Sequence, residues 1–402
     1  MSSRPRTNVH IYPSAFQDAS RILKETRTVI DSGLADRVLI IARHEPGLAR
    51  TEEIDSRRTV VRLPIKALGF HKNLLTETIG FLELVCRTLW YSRDLHITLV
   101  NAHSLSVLPA MVALRFSKRA HVVYDAHELE TERHRLKGLR KIVSKLLEWS
   151  LMPFVDVIVV VSPSIATWYR RKYPRVAVEC VRNMPVRRAR VVVDKRLLRS
   201  RIGARDSDTV FLYQGLFGTD RGIENLVSAF ERTRNERVRC VFMGRGPLES
   251  MIRDAAARCE KIHLVPAVPP DEVLQYTCGA DVGVCLIQPT CLSYYYCLPN
   301  KFFECVMAGV PVVVSPCPDM EAIVVQHGNG WVLHGGSDGL TAFLNQLSAA
   351  DLEIKTRAAQ IASDAFAWEV DEPLYVAALR PLVDSGYPSA RWLARRRPRP
   401  AQ

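Results

Sequence analysis

The sequence predicts an α/β protein of two doubly wound, Rossmann-like domains, and three observations predict it. Short apolar, β-branched runs alternate with amphipathic helical stretches from Asn8 to Arg182 and again from Thr209 to Ser315. That alternation breaks once, around Asn183–Ser200, where Pro185 and Arg187, Arg188 and Arg190 read as a crossing between domains. A chain of 402 residues is also too long for a single such core. The expected division is 1–185, 186–372, a C-terminal helix within 373–390 that packs back on the first domain, and a basic, disordered tail 391–402.

In the first domain, strands are expected at Asn8–Tyr12, Arg37–Ala42, Thr59–Leu63, His96–Asn101, His121–Asp125, Val155–Ser162 and Val176–Arg182. Helices are expected at Ala19–Ser32, Asn73–Tyr91, Leu108–Phe116, Leu136–Leu151 and Ser164–Tyr173. The cycle restarts with strands at Thr209–Gln214, Val238–Met243, Lys261–Val265, Val282–Ile287 and Pro311–Ser315. Its helices are expected at Ile223–Arg234, Pro247–Cys259, Pro270–Cys278, Asn300–Ala308, Leu340–Leu347, Ile354–Phe366 and Pro373–Val383. Strands joined by helices form parallel sheets, whose ligands bind at the carboxyl ends of the strands. Two facing sheets therefore predict a cleft between the domains.

Composition narrows the class. No apolar run approaches the roughly 18 residues that span a membrane, and Met-Ser-Ser-Arg-Pro-Arg-Thr leads directly into a strand, unlike a signal peptide. The ten cysteines include no C-x-x-C pair, which favours reduced thiols in a cytoplasmic protein over a zinc site or disulfide scaffold. Charge is uneven. Residues 1–190 carry 32 Lys and Arg against 18 Asp and Glu, residues 191–390 carry 18 against 24, and the tail carries five Arg and no acid. The basic half should face something anionic, and lipid head groups or a phosphorylated acceptor are preferred over nucleic acid. Helix 136–151 sets Lys137, Arg140, Lys141 and Lys145 against Leu139, Ile142, Val143, Leu146 and Leu147. That pattern suits an ordinary solvated helix or one lying on an anionic membrane.

The most informative stretch is Leu298-Pro-Asn-Lys-Phe-Phe-Glu-Cys-Val-Met-Ala-Gly-Val-Pro-Val-Val-Val-Ser315. Pro299 suits a first helical turn and Gly309 the position just past the end. Phe302, Phe303, Val306 and Met307 would face a core, and Val312–Val314 reads as a strand covered on both sides. Lys301 is unusual, because a cation in the first turn opposes the helix dipole. A phosphate there would satisfy both the cation and the unpaired N–H groups. Glu304, one turn on, could accept hydrogen bonds from ribose hydroxyls. The alternative is a surface Lys–Glu pair.

Two further loops follow strands in this domain. Gln214-Gly-Leu-Phe-Gly-Thr-Asp-Arg-Gly places Gly215 and Gly218 for close backbone approach and Arg221 for phosphate oxygens, and Gly244-Arg-Gly246-Pro is a second such turn. Neither is a dinucleotide fingerprint or a Walker loop. In the first domain, Val100-Asn-Ala-His103 and Tyr124-Asp125-Ala-His127-Glu128 set two histidines at strand ends, where Asp125 and Glu128 could orient His127 or bind hydroxyls. Asp206-Ser-Asp208 has metal-like spacing but reads as a solvated turn, and no metal is expected.

Taken together, these motifs resemble glycosyltransferase family 4, retaining enzymes of the GT-B fold, over nearly the whole length. The resemblance rests on Asp18-Ala-Ser-Arg-Ile-Leu-Lys-Glu25, the two histidine loops, Val161-Ser-Pro-Ser-Ile-Ala, Val181-Arg-Asn-Met-Pro, Tyr213-Gln-Gly through Arg221-Gly, Met243-Gly-Arg-Gly-Pro and, most specifically, Leu298–Val314. It implies a UDP- or GDP-linked sugar donor and no cofactor. Lys301 and Arg221 would bind the diphosphate, Glu304 the ribose, backbone near Val268 the base, and His127 would sit by the transferred sugar. Tyr296 stands where the family often has a donor-sugar glutamate, and Ser104 where an aspartate is usual. The implied function is transfer to a glycan or lipid-linked acceptor in bacterial surface polysaccharide synthesis, at the inner face of the membrane. A nucleotide-sugar epimerase or a non-catalytic partner subunit on the same fold are the alternatives.

Overall fold

The computed structural model describes residues 4–17, 19–65, 74–134, 136–187 and 194–386. They form two compact units, one running to Val181 and resuming at Asp371, the other Arg182–Val370.

The first unit has an eight-stranded sheet: β1 Thr7–Ile11, β2 Arg37–Arg43, β3 Thr51–Asp55, β4 Arg58–Leu63, β5 Ile97–Ala102, β6 His121–Ala126, β7 Val157–Val160 and β8 Ala177–Cys180, in the order β3-β4-β2-β1-β5-β6-β7-β8. All neighbours are parallel except β3, which pairs antiparallel with β4. Sequence patterning missed β3 because its Thr-Glu-Glu-Ile-Asp is polar and lies on an edge, where no apolar face is needed. The helix Trp368–Asp384 starts earlier than expected and holds Pro373 and Pro381 internally. Its Glu372 accepts from Thr28 Oγ1 at 2.6 Å, and its Tyr375 hydroxyl accepts from Asn101 Nδ2 at 3.0 Å. The tail 391–402 and the start of the expected 73–91 helix lie outside the described residues.

Helix Gly138–Leu151 reverses the ordinary arrangement. Among its residues only Glu148 is buried, and it accepts from Tyr169 and Tyr173 hydroxyls at 3.0 and 2.8 Å and from Lys172 Nζ at 2.7 Å. Leu139, Ile142, Val143, Leu146 and Trp149 are exposed, Trp149 by 68%. The apolar periodicity is the expected one, but it does not face a core.

The second unit has six parallel strands: β9 Thr209–Leu216, β10 Val238–Arg245, β11 Ile262–Pro266, β12 Val282–Cys285, β13 Val312–Val314 and β14 Gly330–Val332, in the order β11-β10-β9-β12-β13-β14. Val312 and Val314 join one core layer with Phe302, Phe303 and Val306, while Val313 joins the opposite layer with Phe211, Phe230 and Leu344. That alternation is the period of a strand covered on both faces. Sequence patterning missed β14 and the helices Arg196–Arg201, Leu292–Tyr295 and Pro318–His327; the strand and the first two helices are too short to show a period. Asp208 is not solvated as expected. It is buried, accepts from Arg205 N at 2.9 Å and closes the turn before β9, while Asp206 stays exposed.

Candidate active site

In the second unit, β9 and β10 end side by side, with Gly215 beside Gly244. A Cβ at Gly244 would lie 1.9 Å from the Gly215 carbonyl oxygen, and one at Gly246 would lie 2.6 Å from that of Phe217. At both positions a side chain would collide with the neighbouring loop's backbone, so glycine is required for the loops to pack on each other. Gly215 is required by its φ of +113°. Gly218 has neither constraint: a Cβ there would meet nothing closer than 3.7 Å.

Helix Asn300–Met307 follows, and Pro299 is its extended N-cap rather than part of its first turn. No side chain caps this end. Lys301 sits in the first turn with Nζ 3.6 Å from the centre of the buried Tyr213 ring on β9, a cation–π contact that fixes the ammonium over the strand's carboxyl end. Glu304 Oε2 accepts from Gln214 Nε2 at 2.5 Å, and Gln214 Oε1 accepts from Thr277 Oγ1 at 2.8 Å. The Gln214 amide is thereby held in one orientation. Near Lys301 and Glu304, burial is the main force pushing the Cys285 thiol up to about 12, so it is no nucleophile. Arg221 is half-buried with Cζ 5.1 Å from the Tyr294 ring, between Asp220 (φ +61°) and Gly222 (φ +72°). Val268 is half-buried in the loop after β11, and Tyr296 follows the short helix Leu292–Tyr295 with its ring 5.3 Å from that of Tyr295.

In the first unit, three adjacent strands carry polar side chains at period two: Asn8 and His10 on β1, Asn101 and His103 at the end of β5, and Asp125 and His127 at the end of β6. The sheet order brings them into a row. Asn8 Oδ1 lies 2.6 Å from His10 Nε2, His10 Nδ1 2.8 Å from His103 Nε2, and His103 Nδ1 2.8 Å from Asp125 Oδ2. His127 Nε2 is 2.8 Å from the same Asp125 oxygen. From helix Ser20–Asp31, Arg21 donates to Asp125 Oδ1 at 2.8 Å and pairs with Glu25 Oε1 at 2.9 Å. Burial opposes the Asp125 charge, but Arg21 and His127 overcome it and hold the carboxyl well below its usual range. Burial, with Asp125 beside it, pushes Glu25 well above its own. Burial also takes His103 down to about 4 against the pull of Asp125.

His103 is therefore interior, not displayed at the strand end. His127 is part-exposed, with 29% of its side chain accessible. Asp125 orients His127, as the sequence allowed. Glu128 does not; it pairs with Arg133 at 2.9 Å. His10, Arg21, Glu25 and Gln214 were missed. The one available signal was polar residues at period two, Asn8 and His10, inside an otherwise apolar strand.

Residues 32–184 match a family model described as Glycosyltransferase Family 4, and residues 208–350 match one described as Glycosyl transferases group 1. The chain is 24% identical over 305 residues to chitobiosyldiphosphodolichol beta-mannosyltransferase of Kluyveromyces lactis, and the match covers 66% of this chain and 66% of that protein. Among solved structures, sucrose-phosphate synthase from Thermosynechococcus elongatus superposes with a TM-score of 0.77 at 15% identity, covering 94% of this chain and 100% of that one. Anabaena HepE in complex with UDP-glucose gives 0.71 at 15%, covering 93% and 99%.

Proposed function

We propose, for a chain that joins a Glycosyltransferase Family 4 segment to a Glycosyl transferases group 1 segment on the GT-B fold and is thereby a glycosyltransferase, that it moves a sugar from a UDP- or GDP-linked donor to a lipid-linked glycan. The observation that carries this reading is the uncapped N-terminus of helix Asn300–Met307, where Lys301 is held over Tyr213 and Glu304 over Gln214. A diphosphate seated there meets a fixed cation and the positive end of a helix, and Glu304 stands one turn away for ribose hydroxyls. Arg221 supplies a second cation, and backbone near Val268 contacts the base.

Sugar transfer builds negative charge on the leaving diphosphate, so a preorganised cation and helix end lower the barrier directly. No cofactor or metal is needed for that step. The leaving phosphate takes the acceptor's proton, and the anomeric configuration is retained. His127 contacts the transferred sugar.

The acceptor reading is supported by the exposed apolar stripe of helix Gly138–Leu151, flanked by Lys137, Arg140, Lys141 and Lys145. An apolar stripe bordered by cations suits an anionic lipid surface. The Kluyveromyces lactis relative also carries a diphosphodolichol acceptor in its name. We place the activity at the inner face of a bacterial membrane, in surface polysaccharide synthesis.

The test is thermal-shift screening against a panel of nucleotide sugars, then transfer assays of Lys301→Ala and Glu304→Ala with EDTA present. Both variants should fold and lose transfer, and EDTA should change nothing. Unchanged turnover in both would end the site assignment. The anomer of the product, read by NMR, decides retention. Tyr296 favours one other reading, a non-catalytic partner subunit, which would bind donor and never turn it over.

A further inference from the structure

The buried row Asn8–His10–His103–Asp125 contains three short gaps, and each needs a proton. Asn8 Nδ2 lies 3.0 Å from the Leu99 carbonyl oxygen, which can only accept, and 2.8 Å from Asn101 Oδ1. The amide orientation is therefore fixed, Asn8 Oδ1 faces His10, and His10 Nε2 must carry hydrogen. The remaining gaps are His10 Nδ1 to His103 Nε2 and His103 Nδ1 to Asp125 Oδ2, both 2.8 Å; His127 Nε2 is also 3.2 Å from His103 Nδ1, but it is nearer Asp125 Oδ2, at 2.8 Å, and its hydrogen goes to that carboxylate. Two neutral imidazoles bring two hydrogens in all, and an ionised Asp125 brings none. With three gaps and two hydrogens, one gap would hold two facing lone pairs in a buried site, which costs on the order of 1–3 kcal/mol for the unsatisfied group alone.

The missing proton has a source beside the row. Glu25 is wholly buried, its Oε2 is 4.0 Å from His103 Nδ1, and its Oε1 is 2.9 Å from Arg21. Burial disfavours an isolated imidazolium at His103 and an isolated carboxylate at Glu25 alike, but the two charges side by side cancel. With the proton in the row, Arg21 and the row offset Asp125 and Glu25, the cluster is neutral, and every gap is bridged. Lys24 on the same helix adds to the pull on Glu25, and Tyr375 from helix Trp368–Asp384 faces the cluster as a neutral phenol through Asn101.

We propose that His10, His103 and Asp125 share a proton ceded by Glu25, and that His10 and Glu25 are thereby positioning residues for His127. Once His103 Nδ1–H and His127 Nε2–H both donate to Asp125 Oδ2, His127 is fixed as the Nε2–H tautomer. Its Nδ1 is left as a bare acceptor for a ligand hydroxyl. That last role rests on the glycosyl-transfer reading; the proton placement does not.

The test uses the full chain labelled with 15N-histidine, with signals assigned by single His→Gln variants. At pH 7 the wild type should show an imidazolium pattern shared by His10 and His103, and a neutral His127 unprotonated at Nδ1. Glu25→Gln, which cannot cede a proton, should abolish the imidazolium pattern and change the pH profile of kcat. Neutral His10 and His103 in the wild type overturn the proposal, as does an imidazolium that survives in Glu25→Gln. Should Glu25→Gln not fold, wild-type spectra at pH 6 and pH 8 decide, since a closed neutral cluster keeps its pattern across that range. A correct NMR result without any effect of His127→Ala on transfer would reject the glycosyl-transfer role of His127 and leave the proton placement standing.

Discussion

Gln214 Nε2 and Glu304 Oε2 are 2.5 Å apart, and Thr277 fixes the other end of the same amide. Glu304 is therefore held in one position by the fold itself. Gln214→Leu removes the donor and leaves Thr277 Oγ1 only its own turn's carbonyl, that of Val273. A lost hydrogen bond to a charged group is worth roughly 1.5–3 kcal/mol, so nucleoside-diphosphate affinity should fall about 10- to 100-fold. Gln214→Glu sets a second acid beside Glu304 and should do worse. Calorimetric titration with the nucleotide that gives the largest thermal shift measures both. Equal affinity in all three proteins would remove Glu304 from the binding site.

The Lys301–Tyr213 contact yields a graded prediction. Tyr213→Phe keeps the ring face and loses only the hydroxyl's bond to the Leu216 carbonyl, 2.9 Å long; it should reduce stability by about 1 kcal/mol and barely touch kcat. Tyr213→Leu loses the face that holds the ammonium, worth roughly 0.5–2 kcal/mol, and should reduce kcat/KM several-fold. Lys301→Ala loses the charge itself and should reduce kcat about 100-fold or more, as removal of one preorganised charge-stabilising group does. The order of the three, not any single value, tests whether Lys301 acts as a positioned cation.

Much of this is legible in the amino-acid sequence alone. The Val312–Val314 run, the Phe302–Val306 face and Gly309 at φ +70° follow from local rules of period and handedness. His103, Asp125 and His127 stand out because strand ends are where such sheets bind. Contact between strands distant in sequence cannot be read that way. His10 meets His103 only because β1 lies between β2 and β5, and Gln214 meets Glu304 only because β9 is central in its sheet. Strand order leaves no local trace. The helix Gly138–Leu151 shows the converse limit: its apolar period is plain in the sequence, but a period does not say whether the stripe faces protein or solvent.

Glu130 should make stability fall as pH rises through the acid range, while the lowered His103, His10 and His263 act the other way. Burial is the chief force pushing the Glu130 carboxyl up to about 7, and Ser104 and Arg133 hydrogen-bond it at 3.3 and 2.7 Å. The folded chain thus keeps a proton that the unfolded chain has already released. This penalty is absent below the unfolded value of about 4.3, grows until pH 7 and then levels, reaching at most about 4 kcal/mol. Denaturant unfolding at pH 5, 6 and 7 should show the stability of Glu130→Gln rising relative to the wild type as pH rises. A difference between the two proteins that does not change with pH would show that Glu130 is ionised in the folded chain.

The exposed stripe of helix Gly138–Leu151 predicts binding to anionic liposomes. Burying a large apolar side chain gains roughly 1.5–3 kcal/mol, and each nearby cation adds about 1 kcal/mol at an anionic surface. Leu146→Asp or Trp149→Ala should therefore weaken flotation with anionic liposomes at least tenfold. Lys137→Glu with Arg140→Glu should abolish its dependence on anionic lipid and on salt. None of these side chains supports the core: Leu146 and Trp149 are 59% and 68% exposed, while the helix is held inward by the buried Glu148 and by Lys141 and Lys145, which pair with Glu132 at 2.6 and 2.7 Å. Thermal stability should stay within about 0.5 kcal/mol of the wild type, so lost flotation cannot be blamed on unfolding. Glu148→Leu is the contrasting variant. It strands the Tyr169 and Tyr173 hydroxyls, removes the partner of Lys172, should destabilise by several kcal/mol, and separates a helix that has come loose from one that has lost its exposed apolar stripe.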